Sequence, residues 1–223
     1  LIEKYEMPVL GYTPEHNAYP YNYMIGSEAQ RRDAIDYLKL SLEMAKEMGA
    51  EFVLTSPANG GYLATYDQLW SRLEKNIQEL GDYAAKLEIK LVVEALTPYE
   101  SNFFTRANDL VELFRRVDNP YVVGMCDIVP PFVQHESIMA YFDKLGNKMD
   151  HMHIIDGENG SDTHLIPGEG NIPIKEMLYE MKRIGYDKTA TLELVTNYIN
   201  EPRFYAKRAI DNMRELMAEA GIV

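Results

Sequence analysis

Four side chains able to bind a metal or move a proton stand near the carboxyl ends of four separate apolar runs. Glu94 belongs to "IKLVVEAL" (89–96), Asp127 to "YVVGMCDI" (121–128), His153 to "HMHIID" (151–156) and Glu193 to "TATLELV" (189–195). Alone, each has an ordinary explanation: a carboxylate ending a strand caps a helix or binds a loop amide, and a strand histidine is a satisfied core residue. Together they change the argument, because three carboxylates buried in one place repel unless protons or a cation compensate them. A divalent ion is the economical compensation. Two glutamates, one aspartate and one histidine make a mostly oxygen donor set, which suits manganese, cobalt, magnesium or nickel, admits zinc and disfavours copper.

The stretch "DHMHIID" (150–156) holds a second histidine, His151. Residues i and i+2 of a strand share a face, so His151 and His153 point the same way. His151 lies about 7 Å deeper by strand rise. The expected ligand is therefore His153, with His151 orienting a neighbour through hydrogen bonds.

The elements that must carry these groups repeat one pattern, a short β-rich run followed by a stretch with helical spacing. "MPVLGY" (7–12) and "EFVLTS" (51–56) complete a set of six strands. The helical stripes are Ile35, Leu38, Leu42 and Ala45 before Gly49; Leu69, Leu73, Ile77, Leu80 and Ala84; and Leu110, Leu113, Phe114 and Val117. They continue with Ile138, Tyr141, Phe142 and Leu145 before Gly146; Ile174, Met177, Leu178, Met181 and Ile184 before Gly185; and Ile210, Met213 and Met217. Pro173 suits a first helical turn and the glycines suit helix ends. Strands spaced by helices predict an α/β fold with a parallel sheet, doubly wound or closed into a barrel. Neither G-x-G-x-x-G nor G-x-x-x-x-G-K-[ST] occurs, so a nucleotide-binding reading has no support. Polar groups at strand ends are instead where barrel enzymes gather their active sites.

Composition excludes further classes. A chain of 223 residues, 46% hydrophobic, is enough for one domain with a sizeable core, residues 1–223. The net charge of -13 repels phosphate backbones, so no nucleic-acid partner is expected. No apolar run nears the ~18 residues of a membrane helix, so no membrane partner is expected either. One cysteine, Cys126, excludes an internal disulfide and fits a cytoplasmic location. A small molecule is the expected partner. The tyrosines Tyr12, Tyr19, Tyr21 and Tyr23, after the first run, could stack on a sugar or pack against a neighbouring loop or subunit, and a homo-oligomer is expected.

"VVEALTPYESN", "CDI", "HMHIIDG", "SDTHLIPGEGNIP" and "TLELVTNYINEPRFYA", in this order, resemble the sugar isomerase and epimerase branch of the xylose-isomerase-like TIM barrels. The likeness runs along essentially the whole chain. It implies a (β/α)8 barrel, of which six units are visible, with the first two units lying outside this sequence. It places the metal ligands on Glu94, Asp127, His153 and Glu193, the residues already chosen by chemistry, and makes Glu94 and Glu193 the acid–base pair. It also implies substrate contact by Glu100. Asp162 and His164 resemble a D-x-H pair that binds additional zinc in the endonuclease IV branch. With five histidines and no basic face the nuclease reading fails, so His164 is expected as a substrate hydrogen-bond donor and Asp162 as its loop support. Tyr12 is expected on the substrate side.

Ketose 3-epimerases of the family commonly carry a histidine three positions after the aspartate ligand, where this chain has Pro130. The departure favours a larger, substituted sugar. The resemblance thus implies a metal-dependent 3-epimerase acting on a glycated amino acid, interconverting fructoselysine and psicoselysine, or on a related ketose derivative. One glutamate would take the C3 proton and the other return one on the opposite face of a metal-stabilised cis-enediolate. An aldose–ketose isomerase, a free ketohexose 3-epimerase and a non-catalytic sugar-binding barrel are the alternatives.

Overall fold

A computed structural model describes residues 2–17, 20–158 and 160–222. The chain divides into two compact units, Leu1–Met125 and Cys126–Val223. Among the described residues no helix is long and apolar enough to cross a membrane.

The first unit begins with a single turn, α1 (Ile2–Tyr5), and then alternates β1 (Gly11–Tyr12), α2 (Glu28–Met48), β2 (Phe52–Thr55), α3 (Tyr66–Leu87), β3 (Lys90–Val93) and α4 (Ala107–Arg116) before β4 (Val122–Asp127). Neighbouring strands pair in parallel and in chain order, with Gly11 opposite Phe52, Phe52 opposite Lys90 and Leu91 opposite Val122. The expected strand at 7–12 contracts to two residues; Pro8 has no N–H to give a ladder. One face of this sheet gathers Phe52, Leu54, Val92, Val123 and Met125, with Leu10 against them. Alternation puts Glu94 on the face of Val92.

The helices follow from their sequence signals. Ser27 and Gln30 form a reciprocal capping box at the start of α2, as do Thr65 and Gln68 at the start of α3. Gly49 ends α2 in the left-handed region at φ 77°, as its place after the stripe predicts. The stripe Leu69, Leu73, Ile77, Leu80 and Ala84 is buried along α3. Trp70, also on α3, lies against Phe104 with ring centroids 5.9 Å apart, and the Arg116 guanidinium sits 4.8 Å from its ring. Helices α2 and α3 are joined by Glu79, which receives Arg32 at 2.8 Å and Lys39 at 2.6 Å.

In the second unit a short helix α5 (Val129–Val133) follows β4, then come α6 (Met139–Leu145), β5 (Met149–Ile154), α7 (Ile174–Ile184), β6 (Thr189–Leu192) and α8 (Pro202–Glu219). The prolines 130 and 131, in its first turn, suit α5, which lacks the length for an apolar stripe and escapes periodicity. Strands β5 and β6 are parallel, with His151 opposite Thr189 and His153 opposite Thr191. The N–H of Ile128, just past β4, donates to the His153 carbonyl at 3.4 Å, so the end of β4 lies beside β5. Gly185 ends α7 at φ 73°. In α8 the expected Met213 is buried and Met217 half-buried, while Ile210 is 39% exposed and Ala209 takes the inward position beside it.

Candidate metal centre

Each second-unit member of the proposed ligand set stands where a strand stops. Asp127 is the last residue of β4, His153 the fifth of β5, and Glu193 follows β6 directly. Asp127 and His153 are buried and Glu193 is half-buried. The N–H of Val129 donates to Asp127 Oδ1 at 2.7 Å, which fixes that carboxylate and turns Oδ2 toward the imidazoles. His153 Nδ1 lies 3.3 Å from Glu193 Oε2 and 3.9 Å from Asp127 Oδ2.

His164 joins the same group. Its Nε2 lies 3.2 Å from Glu193 Oε2 and 3.8 Å from Asp127 Oδ2, and its Nδ1 lies 3.3 Å from Asp162 Oδ1. Asp127, His164 and Glu193 each place a ligand atom within 4.8 Å of the others. His164, expected only as a substrate contact, is therefore also within reach of the carboxylates. Asp162 meets the far side of the His164 ring.

The carboxylates and imidazoles of the cluster shift one another's ionisation. Burial works against a charge on His164, but hydrogen bonds to Asp127, Asp162 and Glu193 outweigh it and push its pKa up to about 12. Burial likewise opposes ionisation of Glu193, yet His153 and His164 hold its carboxyl well below the usual range. Oxygen and imidazole donors of this kind fit a hard or borderline divalent ion.

His151, expected to orient a neighbour through hydrogen bonds, bonds across to β6. Its ring bridges two hydroxyls of β6, Thr189 Oγ1 at 2.7 Å and Thr191 Oγ1 at 3.2 Å, and meets His153 edge-on with centroids 5.5 Å apart. Burial, with His153 nearby, lowers its pKa to about 4, so the ring is neutral at pH 7. The bridge ties the strand that ends at Glu193 to the strand that carries His153. The alternate threonines of "TATLE" were the available signal for it.

The first unit holds Glu94, Glu100 and Tyr12. Glu94 comes directly after β3, is buried, and its N–H donates to the Thr55 carbonyl at 3.0 Å. Glu100 is exposed; its Oε2 accepts from the Thr97 N–H at 3.2 Å and hydroxyl at 3.0 Å, closing its own loop. Tyr12 ends β1, half-buried. Tyr21 stacks on Tyr37 of α2 at 4.1 Å and Tyr23 donates to the Ser56 carbonyl at 2.7 Å, so these two pack within the unit. Tyr19 lies outside the described residues.

A buried histidine in this unit had no sequence signal. His16 Nε2 accepts from the Ser56 N–H at 3.0 Å, which leaves Nδ1 to donate to the Pro14 carbonyl at 2.7 Å. Burial depresses its pKa, so the ring stays neutral and knits the loop after β1 to the end of β2.

Comparison with known proteins follows the same lines. Fructoselysine 3-epimerase of Shigella flexneri is 48% identical over 219 residues, 98% of this chain and 79% of that protein. The same enzyme of Escherichia coli O157:H7 is also 48% identical, over 98% of this chain and 80% of its own length. Among solved structures, a D-tagatose 3-epimerase-like protein superposes with a TM-score of 0.80 at 21% identity, covering 99% of this chain and 80% of its own. The 3-keto-D-glucoside 4-epimerase YcjR of E. coli has a TM-score of 0.80 at 14% identity, covering 97% of this chain and 81% of its own, a likeness of fold. The family model described as "Xylose isomerase-like TIM barrel" matches residues 1–216, and the chain belongs to that family.

Proposed function

We propose that this protein is a divalent-metal-dependent sugar 3-epimerase acting on fructoselysine or a closely related ketose derivative. The observation that carries the reading is the convergence of Asp127, His153, His164 and Glu193 in a chain 48% identical to fructoselysine 3-epimerase. Asp127, His153 and Glu193 would hold the ion. Glu94, buried just past β3 on the Val92 face, is proposed as the fourth ligand. Manganese, cobalt, magnesium, nickel and zinc all suit such donors. When bound, the ion supplies a Lewis acid that polarises a ketose carbonyl and acidifies the hydrogen on the neighbouring carbon.

The rest is the work of side chains. Glu193 is ionised at neutral pH, the state needed to accept the C3 proton, and the β5–β6 bridge through His151 keeps it in register. Inversion then requires a second proton carrier on the other face, the role proposed for Glu94. His164, backed by Asp162, is proposed as a substrate contact that would turn from Glu193 to a sugar hydroxyl when substrate binds. Glu100 and Tyr12 are proposed as further substrate contacts. Pro130, buried in the first turn of α5, takes the place of the histidine common in free-ketose 3-epimerases, which supports a substituted ketose.

The test is turnover of fructoselysine in deuterium oxide with manganese, products identified by NMR. Deuterium at C3 of an inverted product is expected. Deuterium at C1 would instead identify an aldose–ketose isomerase, and binding without exchange a non-catalytic barrel.

A further inference from the structure

The segment between β5 and α7 brings Asp162 and His164 to the cluster, and a buried carboxylate shapes it. Asp156 is 1% exposed and accepts four backbone N–H groups: Gly157 at 2.8 Å and Ile172 at 2.9 Å on Oδ1, Gly168 and Gly170 at 2.9 Å each on Oδ2. Its own backbone exchanges two bonds with Leu165, both 2.7 Å, so the neighbour of His164 is tied to the residue that gathers the segment. His164 itself has φ +25°, a conformation that side-chain-bearing residues rarely adopt and that persists only where the surroundings impose it. Asn212 and Tyr198 add bonds to Pro167 O at 3.0 Å and Ile166 N at 3.0 Å.

We propose that Asp156 is a positioning residue for the reaction: by collecting the amides of residues 157, 168, 170 and 172 it sets the backbone that presents His164 to Glu193. The inference rests on the proposed epimerase function. A carboxylate suits this task because both its oxygens only accept, so four N–H groups can converge on it; an amide nitrogen would turn donors against two of them. Gly170 is required by the same arrangement, since a Cβ there would stand 2.4 Å from Asp156 Oδ1 and 2.4 Å from the Gly157 carbonyl.

Asp156→Asn keeps the shape of the side chain and removes half its accepting capacity. In the folded variant the turnover number should fall about 10- to 100-fold, the range for groups that orient an active-site residue, with a smaller change in KM. The Gly168 and Gly170 amides should exchange faster with solvent while β5 amides keep their protection. Combined with His164→Gln, Asp156→Asn should cost little further activity. A loss of equal size in both backgrounds, or full turnover despite fast-exchanging glycine amides, would overturn the inference. Should Asp156→Asn not fold, Gly170→Ala decides by the same measurements. Activity is not the only readout. In histidine-labelled, metal-free protein the His164 ring signals should move in Asp156→Asn and the His16 signals should not. If the unaltered protein does not epimerise, the functional reading fails, while unmoved His164 signals defeat the positioning role.

Discussion

The Glu193 carboxylate lies 3.3 Å from His153 and 3.2 Å from His164, so a change there touches the proposed ligand set and the proton path together. Glu193→Gln should lower turnover by about 10²- to 10⁴-fold, the range for general acid–base catalysis. Metal content measured on the same sample separates loss of the ion from loss of the base. His164 gives a prediction for the metal-free protein. Its folded pKa is raised from 6.5 to about 12, so the stabilisation is complete below 6.5 and is lost as pH rises through that window. Denaturant midpoints should therefore decline from neutral pH upward, and His164→Gln should flatten the decline. The proposed ligands could be picked out of the sequence because strand ends concentrate chemistry and two-residue alternation fixes facing. Asp156 was not, because its partners are amides up to 16 residues away whose convergence depends on how a loop closes rather than on any period.

Each helix pair or helix–strand contact carries its own test. Glu79 joins α2 to α3 through Arg32 and Lys39, and Arg32 chiefly, with Lys39, depresses its pKa from 4.5 to about 2 against the effect of burial. That contribution is present above pH 4.5 and disappears as pH falls toward 2. Glu79→Gln should thus lose up to about 1 kcal/mol at neutral pH, given its partly exposed partners, and show a shallower acid transition by circular dichroism. On α3, Gly81 faces β4 so closely that a Cβ would meet Val122 Cγ2 at 2.5 Å and Asn119 Nδ2 at 3.1 Å. Alanine favours a helix over glycine by about 1 kcal/mol, whereas forcing a methyl into a filled core costs about 1–3 kcal/mol. Crowding should win: Gly81→Ala is expected to lower the urea midpoint. The helices themselves could be read from capping pairs, apolar stripes and terminal glycines. The shortness of β1 and the exposure of Ile210 on α8 could not, because both are decided by what the partner surface offers.

Across the whole chain, the net charge of -13 makes cation binding at a carboxylate-rich centre favourable at long range as well as by contact. A divalent ion that binds only the folded protein should raise its stability by about 2.7 kcal/mol at one hundred times its dissociation constant, and a chelator should reverse the gain; a thermal melt with and without manganese measures it. The six β/α units and their order were legible at this scale, since alternating strand and helix patterns leave few topologies. The chain also has a single tryptophan, Trp70, buried on α3 between Phe104 and the Arg116 guanidinium, all in the unit Leu1–Met125. Its emission is therefore a built-in optical probe of that unit, which also carries the proposed ligand Glu94, whereas Asp127, His153, His164 and Glu193 belong to the other. Titrating manganese while following Trp70 fluorescence during denaturant unfolding turns this into a measurement: the midpoint shift multiplied by the m-value is the stabilisation that the ion lends to the unit holding Trp70 and Glu94.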